Sequence, residues 1–178
     1  LVLFSASDRG DSNSEFTIKL TTAGVIDIII QDAGSATLEL TASTGLDDDA
    51  WHHFAFGSSA SSNTLYIDGA SVTPTYSTGS ASTQAWLSNI ADLDTMRIGA
   101  KVQSDVLSSH WEGSLDDVRY YSSYQLTAAN AEFLYDNFRG VTGGTSAGST
   151  DLTGHWTFDA LSAETAGKSV AFNGSDNE

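Results

Sequence analysis

WHHFAFGSSASSNTLYIDG, residues 51–69, sets two short aromatic-rich runs on either side of a Ser-rich spacer and closes on Asp68-Gly69. Runs of about four to eight residues rich in aromatic and β-branched side chains and bounded by small polar residues read as strands. Asp-Gly is a tight-turn signal because both residues tolerate positive φ. The stretch therefore predicts a strand, a polar connection, a second strand and a hairpin turn.

The same pattern extends in both directions. Upstream, LVLFSAS (1–7) reads as a strand and DRGDSNS (8–14) as a turn, and EFTIKL (15–20) alternates Phe16, Ile18 and Leu20 with polar neighbours. GVIDIIIQ (24–31) reads as a strand buried on both faces, and ATLELTA (36–42) places Leu38 and Leu40 on one face, before the acidic turn GLDDDA (45–50). Downstream, residues 71–94 form a strand and a long Ser/Thr-rich loop holding Pro74 and Trp86, and TMRIGAK (95–101) points Met96, Ile98 and Ala100 inward. HWEGSLDDVRYYSSY (110–124) is the longest strand signal; Leu115 and Val118 lie three apart, which predicts a bulge or bend at Asp116-Asp117. Trp51, Trp111 and Trp156 fall inside strand motifs and are expected in the core. Strands at this spacing imply a sandwich or barrel.

One helix is predicted in YQLTAANAEFLYDNF (124–138). Thr127 is its N-cap, Asn130 takes the third helical position, and Leu126, Ala131, Leu134 and Tyr135 form a stripe at helical spacing. RGVTGGTSAGST (139–150) then runs without periodicity and reads as a linker.

Composition limits the function classes. The 178 residues fit one domain, and 40% hydrophobic content suits a globular chain. A net charge of −16, from 23 acidic residues against seven basic ones, repels phosphate backbones, so nucleic acid is not an expected partner. Membrane insertion is not expected either, because no run approaches the roughly 20 apolar residues of a span. Without cysteine, disulfides and thiolate chemistry are excluded.

In order, WHHFAF, NTLYIDG, MRIGA, WEGSLDDVRYY and LTAANAEFLY resemble the laminin-G-like branch of the concanavalin A-like lectin/glucanase superfamily over roughly residues 16–135. Leu115 and Asn130 depart from that pattern, where the family has Ile and Glu. The resemblance implies an all-β, antiparallel jelly-roll β-sandwich with one short surface helix, and an extracellular or cell-surface location. It also reinterprets the C-terminal residues, since GHWTFD (154–159) and GKSVAFNGSDN (167–177) look like the family's first strand segments. Residues 1–139 are then a sandwich lacking its first strands, 140–150 a Gly/Ser/Thr linker, and 151–178 the opening strands of a sandwich. Those strands, with Trp156, Phe158, Val170 and Phe172 as their apolar contacts, belong to the chain's own sandwich, to the next repeat, or to a neighbouring subunit by strand donation.

For chemistry, the resemblance nominates a structural calcium held by Asp116, Asp117 and Asp159, with Asn173 as a further ligand. A glucanase of the superfamily would carry Glu-x-Asp-x-x-Glu on one strand, and no such string occurs, so catalysis is not expected. His52 and His53 are strand neighbours that point opposite ways and cannot easily share a metal. The Arg9-Gly10-Asp11 tripeptide reads as ordinary turn chemistry. Glycan recognition needs an exposed aromatic platform beside amides, for which Trp86 with Gln84 and Asn89, then Tyr76, are the candidates. The expected role is adhesive or structural, in a repeat array or head-to-tail filament of copies or adjacent repeats; the alternative is a carbohydrate-binding module of a secreted glycan-degrading enzyme.

Overall fold

The computed structural model describes residues 1–42, 45–59, 62–122, 126–137 and 152–158. In chain order the strands are β1 (Val2–Ser7), β2 (Glu15–Leu20), β3 (Ile26–Asp32), β4 (Ser35–Ala42), β5 (Phe54–Ser58), β6 (Asn63–Ile67), β7 (Ala70–Ser71), β8 (Thr75–Thr78), β9 (Thr95–Ile98), β10 (Lys101–Gln103), β11 (Val106–Ser108) and β12 (Val118–Tyr121). Helix α1 (Ala128–Asp136) and strand β13 (Leu152–Trp156) follow.

Alternation along β1 to β4 builds the larger layer. These strands form an antiparallel sheet in the order β8-β4-β3-β2-β1-β9. The register sets Phe16 opposite Ile30 and Ile18 opposite Ile28, with Ile28 opposite Leu40 on the far side, so one face is a continuous aliphatic surface. Ile26, Ile28, Ile30, Leu38 and Leu40 are at most 2% exposed. Across the core lie the sheet β5-β6-β7 and the pair β12-β13, all antiparallel. Leu65 and Ile67 of β6 complete the core, and the Phe56 ring stacks on Phe16 with centroids 6.3 Å apart. The described residues therefore form the expected β-sandwich, with α1 as their one α-helix.

The opposite face of the large sheet is polar yet partly buried. The β10-β11 hairpin covers it: the Ser5 hydroxyl donates to the Ala100 carbonyl at 2.9 Å and Ser7 to Val102 at 2.7 Å. Lys101 Nζ lies 2.5 Å from Glu15 Oε2, and the other Glu15 oxygen accepts from Gln31 at 3.0 Å. Ser5, Ser7 and Glu15 thus each have a partner, which removes most of the cost of taking them from water.

Local turn chemistry fixes the hairpins. Asp68 (φ 51°) and Gly69 (φ 75°) both adopt left-handed backbone between paired Ile67 and Ala70, the two-residue turn whose twist suits a hairpin. Asp117, at φ 50°, makes the bend expected between Leu115 and Val118. Thr127 caps α1, accepting from Asn130 N–H at 3.3 Å while Asn130 Oδ1 accepts the Thr127 N–H at 3.2 Å. Asn130 thereby does the work of the acidic residue the family pattern has there.

Three expectations change. β3 is buried on one face and half-buried on the other, because Ile29 points to the polar side beside Thr17 and Glu39. Met96 is 40% exposed, since β9 is an edge strand. Trp51 is 59% exposed rather than in the core, because regular pairing of β5 begins only at Phe54.

Candidate functional site

Between the two layers runs a cavity of about 870 Å³. It is bounded by the segments 50–59 and 114–122, which contain β5 and β12, and floored by Phe16, Ile18 and Leu20 of β2. Among the described residues β5 pairs only with β6 and β12 only with β13, so within that set each strand has one unpaired edge. On the floor side, the rings of Phe16, Phe56 and Trp86 form a cluster with centroids 5.3–6.3 Å apart. The cavity also reaches the opposite face of the small sheet, where α1 contributes Leu134 and Tyr135. That face is the outer one: Tyr66 alternates with core residues Leu65 and Ile67, and its hydroxyl donates to the Leu126 carbonyl just before the helix.

Two polar networks edge the cavity. His52 Nδ1 lies 2.8 Å from Asp68 Oδ2 and its Nε2 lies 3.0 Å from Asp48 Oδ1, and these carboxylates raise its pKa above the ordinary 6.5. His53 is shifted the other way: burial lowers its pKa, with Asp68 and Asp117 opposing and Arg119 adding to the shift. Its Nδ1 is buried without a partner, as is Trp111 Nε1, and both residues line the cavity.

The second network centres on Asp117. Arg119 grips both its oxygens at 3.0 Å, and His155 Nε2 of β13 sits 2.5 Å from Oδ1. The Asp117 N–H donates to Asp116 Oδ1 at 2.8 Å. A guanidinium and an imidazole thus occupy the positions around Asp117 where a cation would sit, an arrangement that does not fit calcium there. Among the described residues no three His, Asp or Glu side chains converge as metal ligands. Asp159 and Asn173 lie outside the described residues.

The other nominated residues fall as follows. Trp86, Gln84 and Asn89 come together on the cavity wall, while Tyr76 sits apart on β8, packed toward the core and paired with Leu40. The Trp86 ring is packed against Phe16 and Phe56, and Asn89 Oδ1 accepts the Trp86 N–H at 2.8 Å. Trp156 lies on β13 opposite Val118, within the same chain, and Phe158 follows at 43% exposure. Gly154 is required beneath Trp156, because a Cβ there would run into the indole ring. Val170 and Phe172 lie outside the described residues. Sequence reasoning missed the exposed Trp51 and the clamp on Asp117; neither has a local pattern, although Asp117 and His155 both stand in motifs already singled out.

A laminin-G family model, described as concanavalin A-like lectin/glucanases superfamily, matches residues 2–131. The chain belongs to the concanavalin A-like lectin/glucanase superfamily. Among solved structures, this superfamily member is similar to an S-layer domain-containing protein (residues 221–444) from Clostridium thermocellum ATCC 27405, at 22% identity and a TM-score of 0.41. The match covers 76% of this chain and 62% of that one. No curated protein matches the sequence. Among the described residues no helix is long and apolar enough to cross a membrane.

Proposed function

We propose that this laminin-G-like domain is a non-catalytic extracellular module with a structural or adhesive role, joined to copies of itself or to adjacent repeats by exchange of its C-terminal strands. The observation that carries this reading is the placement of β13. It adds to β12 as a separate strand held by the Asp117–His155 contact and a 2.8 Å Thr153–Ser122 hydroxyl bond, beyond an intervening Gly/Ser/Thr-rich stretch. Residues 138–151 span up to about 45 Å when extended, enough to reach either the chain's own β12 or that of a neighbour. Strand addition satisfies open edges, and repeated head-to-tail it yields a filament. Among the described residues that line the cavity, only Asp116 and Asp117 carry carboxylates. They are adjacent in sequence and already hydrogen-bonded, which supports binding over hydrolysis.

The test shortens the linker. Deleting residues 140–150 puts the chain's own β12 beyond easy reach, and light scattering on purified protein is expected to show dimers and larger species growing with concentration. A shortened chain that stays monomeric with β13 released would overturn strand exchange.

A second reading, a carbohydrate-binding module, is favoured by the gathering of Gln84, Trp86 and Asn89 on one wall. The packing of Trp86 between two phenylalanines leaves it little free face for a sugar. Binding on a glycan array that is abolished by Gln84→Ala and Asn89→Ala, with the fold intact, would establish it.

A further inference from the structure

The acidic turn before β5 is held in two different ways. Its first part is anchored: Leu46 packs on the core, the Leu46 N–H donates to the Gly24 carbonyl at 3.3 Å, and Asp47 lies so close to Gly24 that a Cβ there would strike its carboxylate. Its second part, Asp48 to Trp51, carries the most exposed aromatic side chain among the described residues, Trp51. Within that part Asp48 accepts the Ala50 N–H at 3.0 Å. Among the described residues, the hydrogen bond that ties it to the rest of the molecule is the one between Asp48 Oδ1 and His52 Nε2, at 3.0 Å.

His52 has a carboxylate on each ring nitrogen, since Nδ1 also lies 2.8 Å from Asp68 Oδ2. A neutral imidazole carries one N–H and one bare lone pair, so both contacts together require the imidazolium. Once the ring loses its proton, one carboxylate faces a lone pair at hydrogen-bond distance. Asp68 is the one that stays. Its other oxygen accepts the His53 N–H at 2.9 Å, its own N–H donates to the His53 carbonyl at 2.8 Å, and its neighbour Gly69 is packed so closely under α1 that a Cβ would meet Glu132 and Tyr135. Asp48, half-exposed on its turn, has no such ties among the described residues. The charged groups on the elements around this clasp are Asp47, Asp48 and Asp49 of the turn, Asp68 of the hairpin, and Glu132 and Asp136 of α1, which border a hollow with Asp68. His53, on the other side of the strand, faces Asp117 and Arg119 as well as Asp68.

We infer that His52 is a pH-operated latch on the turn 48–51. Protonated, it bridges Asp48 and Asp68 and fixes the position of Trp51. Deprotonated, it keeps Asp68 through Nδ1–H, lets Asp48 go, and frees the turn with its exposed indole. The latch is closed between two titrations. Hydrogen bonds to Asp68 and then Asp48 raise the His52 pKa above 6.5, and the bond from His52 lowers that of Asp48 below 3.8. Both charges therefore coexist across the range between, and opening comes as pH rises through the raised His52 value.

Fluorine NMR on the full chain labelled with fluorotryptophan tests this. The Trp51 line is assigned among the four tryptophans by its loss in Trp51→Phe, and the His52 ring is followed by nitrogen NMR. The expected result from about pH 5 to 9 is one transition above pH 6.5, in which the ring becomes the Nδ1–H tautomer and the Trp51 line shifts and narrows by about twofold. The lines of the other three tryptophans should not move, which also reports that the fold is intact. Asp48→Asn should hold the Trp51 line broad throughout, because an amide accepts from the charged ring and donates to the neutral one. His52→Ala should leave the line narrow throughout. A Trp51 line that stays unchanged while the ring titrates, or a ring that stays charged over the whole range, would overturn the latch. A transition in Asp48→Asn with the midpoint of the unmodified chain would overturn the part assigned to Asp48.

Discussion

His52 and His53 are adjacent in sequence and opposite in electrostatics. His52 stands between two carboxylates that stabilise its protonated form, whereas His53 is half-buried against Tyr135, with ring centroids 6.2 Å apart, where desolvation favours the neutral form. Because the folded pKa of His52 is raised, the folded state binds the extra proton: its contribution to stability is complete below pH 6.5 and is lost as pH rises through the folded value. For His53 the folded pKa is depressed, so the unfolded state binds the extra proton and stability falls as pH drops below 6.5. Denaturant unfolding of single variants from pH 5 to 8 should show this directly. His52→Gln removes the part that declines with rising pH, and His53→Gln removes the part that declines with falling pH. Identical pH profiles for the two variants would contradict the assignment. The alternation of WHHF already placed the two rings on opposite faces; which face carried the carboxylates depended on Asp48 and Asp68 arriving from two separate turns.

At the level of elements, the β10-β11 hairpin shows how a polar face becomes interior. Glu15 and Thr17 are polar neighbours in the alternation of EFTIKL, yet they, with Ser5 and Ser7, are at most 5% exposed beneath the hairpin. Lys101 neutralises Glu15 there, and losing one member of a buried pair leaves the other charged and desolvated. Lys101→Met is therefore expected to destabilise the domain by about 3 kcal/mol, with much of the loss recovered in the Glu15→Gln/Lys101→Met double variant. Urea titrations of the single and double variants check this; equal stabilities for Lys101→Met and the parent would show that the pair contributes nothing. The helix lies at the other extreme. Its cap at Thr127 and its buried Ala131 and Leu134 follow from local sequence alone, because capping and helical periodicity need no distant partner.

Over the whole molecule, the core is the aliphatic face of β2 to β4 closed by β6. Leu40, fully buried, pairs with Ile28 on one side and Tyr76 on the other, so Leu40→Ala should cost about 2–5 kcal/mol through lost burial and a residual cavity. Val106, 62% exposed at the tip of the β10-β11 hairpin, should tolerate Ser within about 0.5 kcal/mol. Thermal unfolding of both variants tests whether stability concentrates in the large sheet.

Alternation along EFTIKL and ATLELTA was enough to establish those strands and their inward faces, and the run GVIDIIIQ a third strand though not its single buried face, since period-two patterning depends only on neighbouring residues. The motif order carried the family. Long-range assembly lay beyond it: the hairpin that covers the polar face, the exposure of Trp51, the clamp of Arg119 and His155 on Asp117, and the cavity that the described residues of β5 and β12 border. The hairpin joins Ser5 to Ala100 and the clamp joins Asp117 to His155, residues tens of positions apart. No local pattern encodes how two sheets meet or which edge stays open, because packing, and not propensity, decides them.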